Sequence, residues 1–299
     1  MKALIVLATH DPRPDLLGRQ VSSIVAQSEP DWACLVFDDA SRDRGEVTSA
    51  LTDPRFHLLP AQPHLGAYRA FEQLLMSCDD DVPVFLCDQD DRWHPDKIAR
   101  MLAEPAAAVF SAMRVVDEQG TVIRDRFLAR PPAGAELTPA GLLLMNSVSG
   151  AAMAVSAEVR AAGLPFPAPD LRGWHDQWLA AVAARIGGVR YLDDPLVDYT
   201  QHPGQVTGDG LRRLSPAGVR RYARRMAAVG PVRELRARSG WVQQAARRLL
   251  DLPGPNDPDL RSLADGRWTG LLARGVRARQ VPYPRALLLA AGHLTRPVG

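Results

Sequence analysis

Short apolar runs alternate with segments of helical periodicity over the first hundred residues, and this alternation leaves few folds open. The apolar runs are predicted to be buried strands, and they lie at 2–8, 32–37, 56–59 and 83–87. Apolar residues recur at helical spacing in the segments between and after them, at 16–27, 43–51, 65–77 and 95–103. Strands that alternate with helices predict an α/β fold, a mostly parallel sheet covered by helices on both faces.

The pattern changes after residue 105. The sequence predicts a hairpin around 117–120, then a short apolar helix, a core strand, a clear helix ending at glycine and two short strands. These elements lie at 139–145, 150–156, 175–188, 189–192 and 196–202. We therefore expect one domain over 1–208, with a first half at 1–105 and a second at 106–208.

Charge separates this domain from the rest of the chain. Residues 1–208 hold 18 basic and 28 acidic side chains, a net charge of −10, whereas residues 209–299 have a net charge of +12. Arginine pairs occur at 212–213, 220–221, 224–225 and 247–248. The basic segment is predicted to be helical, either as a packing or homodimer segment or as a surface that meets anionic lipid. Nucleic acid is not an expected partner, because no nucleic-acid fold signature accompanies the charge.

The remaining bulk features favour a cytoplasmic chain, with peripheral contact at the inner face of a membrane as an addition. The cysteines Cys34, Cys78 and Cys87 are odd in number and match no metal-binding spacing, so we expect buried, reduced thiols. The opening residues predict a strand rather than a signal peptide. No apolar run approaches the length of a membrane span.

Carboxylates follow two of the predicted strands directly. Asp38 and Asp39 end the second, and Asp88, Asp90 and Asp91 end the fourth within the sequence DQDD. The carboxyl ends of parallel strands meet at one edge, where ligands of such sheets bind. Crowded carboxylates repel one another unless a cation holds them, and oxygen ligands suit Mg²⁺ or Mn²⁺ together with substrate phosphates. The alternative is an acidic loop that caps the following helix.

The order of several motifs along the chain carries a family resemblance. They are THDPRPD, FDDASRD, HLGAYRAFEQLL, FLCDQDDRWHPDKI, GAAMA, WHDQW and YTQHPGQVTG. Over residues 1–208 the chain resembles the family 2 glycosyltransferases of GT-A fold, and DQDDRW is most similar to the bacterial rhamnosyltransferase-like members. The resemblance implies a nucleotide-binding first half and an acceptor-binding second half.

Residues of the first half match the nucleotide positions of that family. The resemblance implies that Thr9, His10 and Asp38 hold the base and ribose and that Asp39 is the second acid of the pair. A carboxylate can accept the imide N–H of uracil or thymine. The alternative for the two acids is an Asx-type turn or a helix cap.

A glycine-led helix follows in the same half. Gly66 and Arg69 match the helix beside the nucleotide, where glycine permits close approach and arginine can meet phosphate. An ordinary surface helix is the alternative.

The DQDD segment matches the metal-binding D-x-D of the family. The resemblance implies that Asp88 and Asp90 bind Mn²⁺ or Mg²⁺, with Asp90 the direct ligand. It also places Gln89 and Asp91 at the donor, where Asp91 either binds the ion through water or orients the sugar. Trp93 either offers its face to a sugar ring or is a core tryptophan.

Two motifs in the second half match catalytic positions. Asp176 matches the base that takes the proton of the acceptor hydroxyl, and His175 stands where relatives usually have glutamate. The alternative is that Asp176 merely favours the helix N-terminus. His202 matches a histidine near the metal and diphosphate, and Thr200 stands where an arginine often follows the tyrosine.

These features predict a metal-dependent inverting glycosyltransferase. By resemblance its donor is a nucleotide-diphosphate sugar, dTDP-L-rhamnose or a UDP-sugar, and its acceptor is a hydroxyl of a glycan, glycolipid or small secondary metabolite. A non-catalytic nucleotide-sugar-binding or membrane scaffold is the alternative. A sugar nucleotidyltransferase is disfavoured, because THDPRPD has neither the glycine nor the lysine of its phosphate loop.

Overall fold

The computed structural model describes residues 1–79, 81–128, 137–167, 173–202, 231–268 and 270–272. Nine strands in these residues form a single sheet. They are β1 (Ala3–Thr9), β2 (Trp32–Asp38), β3 (Phe56–Leu58), β4 (Val84–Cys87), β5 (Arg92–Trp93), β6 (Ala108–Val116), β7 (Val122–Arg124), β8 (Met153–Val155) and β9 (Val189–Thr200).

Helices cover the sheet on both faces. Those in the described residues are α1 (Pro14–Val25), α2 (Arg44–Ala50), α3 (Ala67–Met76), α4 (Lys97–Leu102), α5 (Pro139–Leu144), α6 (Ala157–Gly163), α7 (His175–Ile186), α8 (Pro231–Leu250) and α9 (Pro258–Ala264). The sequence predicted most of these elements but missed α6, which begins where the side chain of Ser156 accepts the N–H of Val159.

The strand order is β3-β2-β1-β4-β8-β6-β9-β5, with β7 paired to β6. The pairs β1–β2, β1–β4, β2–β3 and β6–β9 are parallel, whereas β8 is antiparallel to both of its neighbours. The predicted α/β class with a mostly parallel sheet is therefore confirmed. Thr9 is paired with Asp38 and Leu7 with Cys87, so the carboxyl ends of β1, β2 and β4 lie together at one edge.

Side chains of β1 divide between two hydrophobic cores, because successive residues of a strand face opposite sides of the sheet. Leu4 and Val6 pack with α3, α5, α7 and α8, whereas Ile5 and Leu7 pack with α1 and α4. The central strand is thus buried on both faces, as its continuous apolar sequence predicts.

The two short strands predicted after residue 188 are one long strand, β9. It runs past Pro195 because its pairing with β6 shifts register there. Its second part pairs antiparallel with β5, a strand that the sequence did not predict. This pairing attaches the segment after DQDD to the second half of the chain.

Part of the basic C-terminal segment packs into the first core. From α8, Trp241, Ala245 and Leu249 are buried in the same cluster as β1 and α7. Arg247 and Arg248 donate to the carbonyls of Ala264 and Leu164, respectively. The other three arginine pairs lie outside the described residues, and the boundary at 208/209 stays a prediction.

None of the helices in the part of the chain that the structure describes is long and apolar enough to cross a membrane.

Candidate active site

The ends of β1 and β2 are joined through Asp38. Its buried carboxylate accepts the Thr9 hydroxyl at 3.1 Å and the Ser41 hydroxyl, and Arg44 lies 3.6 Å away. The Ser41 N–H also lies 3.4 Å from this carboxylate, three residues along the chain. Asp38 therefore fixes the turn that follows β2 and lies beside Thr9.

Asp39 fixes the start of α3. Its buried carboxylate accepts the backbone N–H groups of Leu65 at 2.5 Å and Gly66 at 2.8 Å. Gly66 has φ 78°, a conformation that glycine adopts without steric cost. His64 lies 3.0 Å from the same carboxylate through Nδ1. The segment 64–66 is thereby held against the end of β2.

Gln89 connects the ends of β1 and β4. Its side-chain oxygen accepts the His10 N–H at 2.8 Å, and its side-chain amide donates to the His10 carbonyl at 3.2 Å. The turn after β1 and the DQDD segment are therefore fixed to each other. Because this amide binds backbone, the predicted donor contact of Gln89 stays a prediction.

Asp90 and His202 meet at the same edge, although 112 residues separate them in the chain. His202 Nε2 lies 2.7 Å from Asp90 Oδ2, and the imidazole is buried. Burial, then the negative charges of Asp90 and Asp176, raise the pKa of Asp88 to about 7. The structure thus brings the D-x-D acids, His202 and Asp176 within electrostatic range of one another.

Asp91 and Lys97 lie behind these acids. Asp91 is 1% exposed, one carboxylate oxygen accepts the Thr200 N–H at 3.2 Å, and the other has no hydrogen-bond partner within the described residues. Burial, followed by the negative charges of Asp90 and Asp88, holds the pKa of Asp91 well above its usual range. Lys97 is fully buried, and burial lowers its pKa to about 7. A lysine that the sequence did not single out therefore places a buried amine beneath the acidic segment.

Trp93 belongs to the core. It is 2% exposed, and Lys97 Nζ lies 3.4 Å from the centroid of its ring. The amine of Lys97 also donates to the carbonyl of Ala151 at 2.8 Å. Because its ring is enclosed, Trp93 does not present a face to a sugar here, which corrects the donor-contact prediction in favour of the core alternative.

Asp176 stands in the first turn of α7 and is held from three sides. Its carboxylate accepts the side-chain amide of Asn146 at 2.9 Å, the Gly150 N–H at 3.1 Å and the Gln177 N–H at 2.7 Å. The loop between α5 and β8 therefore orients the group. The carboxylate remains half-exposed, as a proton acceptor for a substrate must be.

His175 is directed away from solvent. It stacks on Phe71 with ring centroids 3.9 Å apart, and burial lowers its pKa, so the imidazole is neutral near pH 7. Its Nε2 faces Gly150 and has no hydrogen-bond partner among the residues described; a Cβ at Gly150 would come within 2.6 Å of it. His175 therefore packs beneath Asp176. Where relatives usually have a glutamate beside the base candidate, this chain has a buried imidazole.

Arg69 is bound to a neighbour on its own helix. Its guanidinium pairs with the buried Glu72, whose other oxygen accepts the Phe166 N–H at 2.6 Å. To bind a phosphate, Arg69 would have to leave its ion pair with Glu72 or share its guanidinium between the two groups. The predicted contact of Arg69 with phosphate therefore stays a prediction.

The acidic segment fits a divalent cation by its chemistry. Asp88, Asp90 and His202 supply hard oxygen and imidazole ligands, and Asp91 has a buried oxygen without a hydrogen bond from any described residue. Burial, and after it the negative charges of neighbouring aspartates, raises the pKa of Asp88 and Asp91, so a bound cation would offset an unfavourable interaction. The three metal-site predictions are consistent with this arrangement but remain untested.

The sequence model described as Glycosyl transferase family 2 matches residues 4–144. This range contains β1 to β7 and every acid of the strand-end edge. Residues 4–144 form a family 2 glycosyltransferase domain. The predicted family is thus confirmed over residues 4–144.

A curated relative agrees with the assignment. The Bacillus subtilis protein named "Putative teichuronic acid biosynthesis glycosyltransferase TuaG" is 27% identical over 134 residues, 42% of this chain and 52% of TuaG. The match thus spans about half the length of that curated relative.

Two solved structures share the fold. Staphylococcus aureus TarS 1–349 in complex with UDP-GlcNAc superposes with a TM-score of 0.59 at 11% identity, over 100% of this chain and 93% of that chain. The mannosyltransferase PcManGT of Pyrobaculum calidifontis, in complex with GDP-Man and Mn²⁺, superposes with a TM-score of 0.53 at 18% identity. This match covers 98% of this chain and 79% of that chain.

Sequence reasoning missed four residues that shape the site: Ser41, His64, Lys97 and Asn146. Ser41 follows the acid pair within FDDASRD, which is a signal for an Asx-type turn. The roles of the other three depend on contacts with distant parts of the chain, and no local pattern marks them.

Proposed function

We propose that the chain is a metal-dependent inverting glycosyltransferase that moves a sugar from a nucleotide-diphosphate donor to an acceptor hydroxyl. The observation that carries the proposal is the position of Asp176, from α7, beside the end of β4. Its carboxylate accepts the Gly150 N–H at 3.1 Å, and the adjacent Ala151 carbonyl accepts the amine of Lys97, which lies beneath the DQDD acids. The pKa of Asp88, raised by burial and then by Asp90 and Asp176, agrees with this placement. A transferase needs these two groups near each other, because the base must face the anomeric carbon while the diphosphate leaves on the other side.

The donor site in this proposal is the edge formed by β1, β2 and β4. Thr9, His10, Asp38 and Asp39 line the nucleotide end. Because Asp38 and Asp39 already accept protein donors, their contribution to base selection uses the lone pairs that those hydrogen bonds leave free.

Asp176 acts as the general base in this proposal. The acceptor oxygen attacks the anomeric carbon, the bond from that carbon to the diphosphate oxygen breaks, and the hydroxyl proton moves to a carboxylate oxygen of Asp176. The hydrogen bonds from Asn146 and Gly150 hold the carboxylate in place during the transfer. His175 stays neutral and buried, so it takes no part in this proton transfer.

Asp90, Asp88 and His202 are the residues that would hold the divalent cation. When bound, Mn²⁺ or Mg²⁺ supplies positive charge to the departing diphosphate. The Mn²⁺ of the PcManGT complex supports this choice.

The donor is proposed to be dTDP-L-rhamnose or a UDP-linked sugar. The rhamnosyl alternative rests on DQDDRW, and the uridine alternative is supported by the UDP-GlcNAc bound to TarS. The acceptor is proposed to be a glycan, a glycolipid or a small metabolite. The name of TuaG, a teichuronic acid biosynthesis glycosyltransferase, favours a cell-envelope glycan.

Location and assembly complete the proposal. We infer a cytoplasmic enzyme whose basic segment 209–299 either contacts anionic lipid at the inner face of the membrane or forms a homodimer contact. The packing of α8 into the core supports a packing role for 231–250.

A thermal-shift screen of nucleoside diphosphates and nucleotide sugars, with and without Mn²⁺, tests the proposal. A ligand that binds only the folded state raises the melting temperature, so the screen identifies the base and the metal dependence together. Hydrolysis of the best donor by the purified chain then separates an enzyme from a scaffold, because an enzyme transfers some sugar to water. Stabilisation by no nucleotide rejects the proposal, and stabilisation without hydrolysis or transfer favours the scaffold.

A further inference from the structure

A second group of metal-ligating atoms lies at the ends of β1 and β2, apart from Asp88 and Asp90. Within the residues that the structure describes, the group of three or more whose ligand atoms all lie within 4.8 Å of one another consists of His10, Asp39 and His64. The Nδ1 atoms of His10 and His64 lie 2.8 and 3.2 Å from the Asp39 carbonyl oxygen. His64 Nδ1 is also 3.0 Å from Asp39 Oδ2.

One atom each from His10, Asp39 and His64 is thus available within 4.8 Å of the other two. Zn²⁺ bound tetrahedrally at its usual distance of about 2.0–2.2 Å holds its ligand atoms about 3.3–3.6 Å apart, so the two imidazoles would turn from the Asp39 carbonyl to admit it. Imidazole nitrogen with carboxylate oxygen is a ligand set that suits Zn²⁺ and Co²⁺, whereas Mg²⁺ prefers oxygen ligands only.

The carboxylate of this group is already oriented. Asp39 is 3% exposed, and the N–H groups of Leu65 and Gly66 hold its two oxygens. Hydrogen bonds to a ligating carboxylate strengthen metal sites by fixing the ligand before the ion arrives. The His10 and His64 rings lie 4.6 Å apart and are both exposed, so an ion can reach the group from solvent.

We propose that His10, Asp39 and His64 form a Zn²⁺ site that is separate from the Asp88–Asp90 pair. The consequence for activity rests on the proposed function: because the nucleotide is placed against His10 and Asp39, bound Zn²⁺ and donor exclude each other. The site then acts as an inhibitory zinc site at the mouth of the donor pocket.

Binding of Co²⁺ to the purified, chelator-treated full chain tests the site, because cobalt in a tetrahedral nitrogen-and-oxygen site absorbs visible light strongly. We expect a visible absorption band that added Zn²⁺ removes. His64→Gln and His10→Gln should each weaken Co²⁺ binding at least about tenfold, the scale on which metal-site residues act. His57→Gln, at an exposed histidine on β3, and Asp90→Asn should leave the band unchanged.

Three results would overturn the proposal: no tetrahedral band, a band that persists in both His64→Gln and His10→Gln, or a band lost in Asp90→Asn but kept in His64→Gln. Circular dichroism spectra of each variant, compared with wild type, separate lost ligation from misfolding. His64 is exposed, so its replacement removes little packing.

Nucleotide titrations keep this test apart from that of the proposed function. If no nucleoside diphosphate binds to the chain in the presence of any metal ion tested, but the Co²⁺ band depends on His64, the transferase proposal fails and the zinc site stands. If nucleotides bind with Mn²⁺ while the band is absent or independent of His64, the zinc site fails and the transferase proposal stands. Where both hold, Zn²⁺ should weaken nucleotide binding to wild type and not to His64→Gln.

Discussion

The strand-end acids and the base candidate on α7 stand on two sides of one site, but different contacts hold them. Asp38 and Asp90 follow parallel strands whose register brings them to the same edge. Asp176 lies on a helix, and the residues that orient it, Asn146 and Gly150, come from a loop. The position of α7 in turn depends on the C-terminal helix α8.

Contacts between α7 and the C-terminal segment are specific. Arg185 on α7 is buried and donates to the carbonyls of Leu249 and Leu252, 64 and 67 residues later in the chain. Trp241 on α8 donates to the Tyr68 hydroxyl at 3.3 Å and lies against Gly173, just before α7 begins. The difference teaches that pairing between parallel strands places the donor-side acids, whereas contacts with the chain beyond residue 230 support the helix that carries Asp176.

The largest expected effect comes from the catalytic side. Asp176→Asn should lower kcat by about 10²–10⁴, because the acceptor hydroxyl loses its proton acceptor, while nucleotide binding at the strand ends is unchanged. Single-turnover sugar transfer and the nucleotide-induced shift in melting temperature measure the two sides separately. Asp15→Asn, at an exposed acid in the first turn of α1, is the matched control. Turnover retained by Asp176→Asn would reject the base assignment.

Removal of a buried tryptophan on each side sharpens the comparison. Trp241→Ala should cost about 3–5 kcal/mol in the free energy of unfolding and also lower kcat, because Trp241 packs beside the segment that leads to Asp176. Trp32→Ala, at the start of β2, should cost a similar free energy and leave kcat unchanged. Urea unfolding measures the loss of stability in each variant, and sugar-transfer rates are measured under conditions in which both variants are folded. Equal kcat values in the two variants would contradict the predicted difference between the two sides.

Asp90→Ala tests the donor side. Loss of this ligand should weaken Mn²⁺-dependent donor binding at least about tenfold, measured by calorimetry, with little change in stability. Asp96→Ala, at an exposed acid before α4 that makes no capping hydrogen bond, should behave as wild type. An unchanged affinity in Asp90→Ala would place the metal elsewhere.

The smallest effect concerns pH. The pKa of Asp88 is raised to about 7, so the folded chain holds more protons than the unfolded chain between about pH 4 and 7, and its unfolding free energy falls as pH rises. Asp88→Asn should therefore gain about 1–2 kcal/mol over wild type at pH 8 and nothing at pH 4, with the value limited by the solvent access that this partly buried group keeps. Thermal unfolding across this range checks it, and a gain that does not grow with pH would contradict it.

The strand-end acids could be predicted from sequence because apolar runs mark where buried strands end. Asp38 and Asp88 each follow such a run directly, and the parallel alternation puts both at one edge. Asp176 required the family resemblance, since an acid in a first helical turn has an ordinary explanation in the helix dipole.

Other parts of the site could not be predicted because distant contacts decide them. Lys97 follows HPD, which is typical of an exposed helix start, yet the Ala151 carbonyl and the Trp93 ring bury it. β9 contains a proline, which indicates an interruption, but the shift in its pairing with β6 accommodates Pro195.

The two hydrogen bonds between the Gln89 side chain and the backbone of His10 have one further consequence. They continue the ladder between β1 and β4 by one rung beyond the strands, with a side chain in place of backbone. A ligand that moves Gln89 must therefore break these two hydrogen bonds or move the backbone of His10 with it. If occupancy at one loop changes affinity at the other, the same factor applies in both directions, as thermodynamic linkage requires.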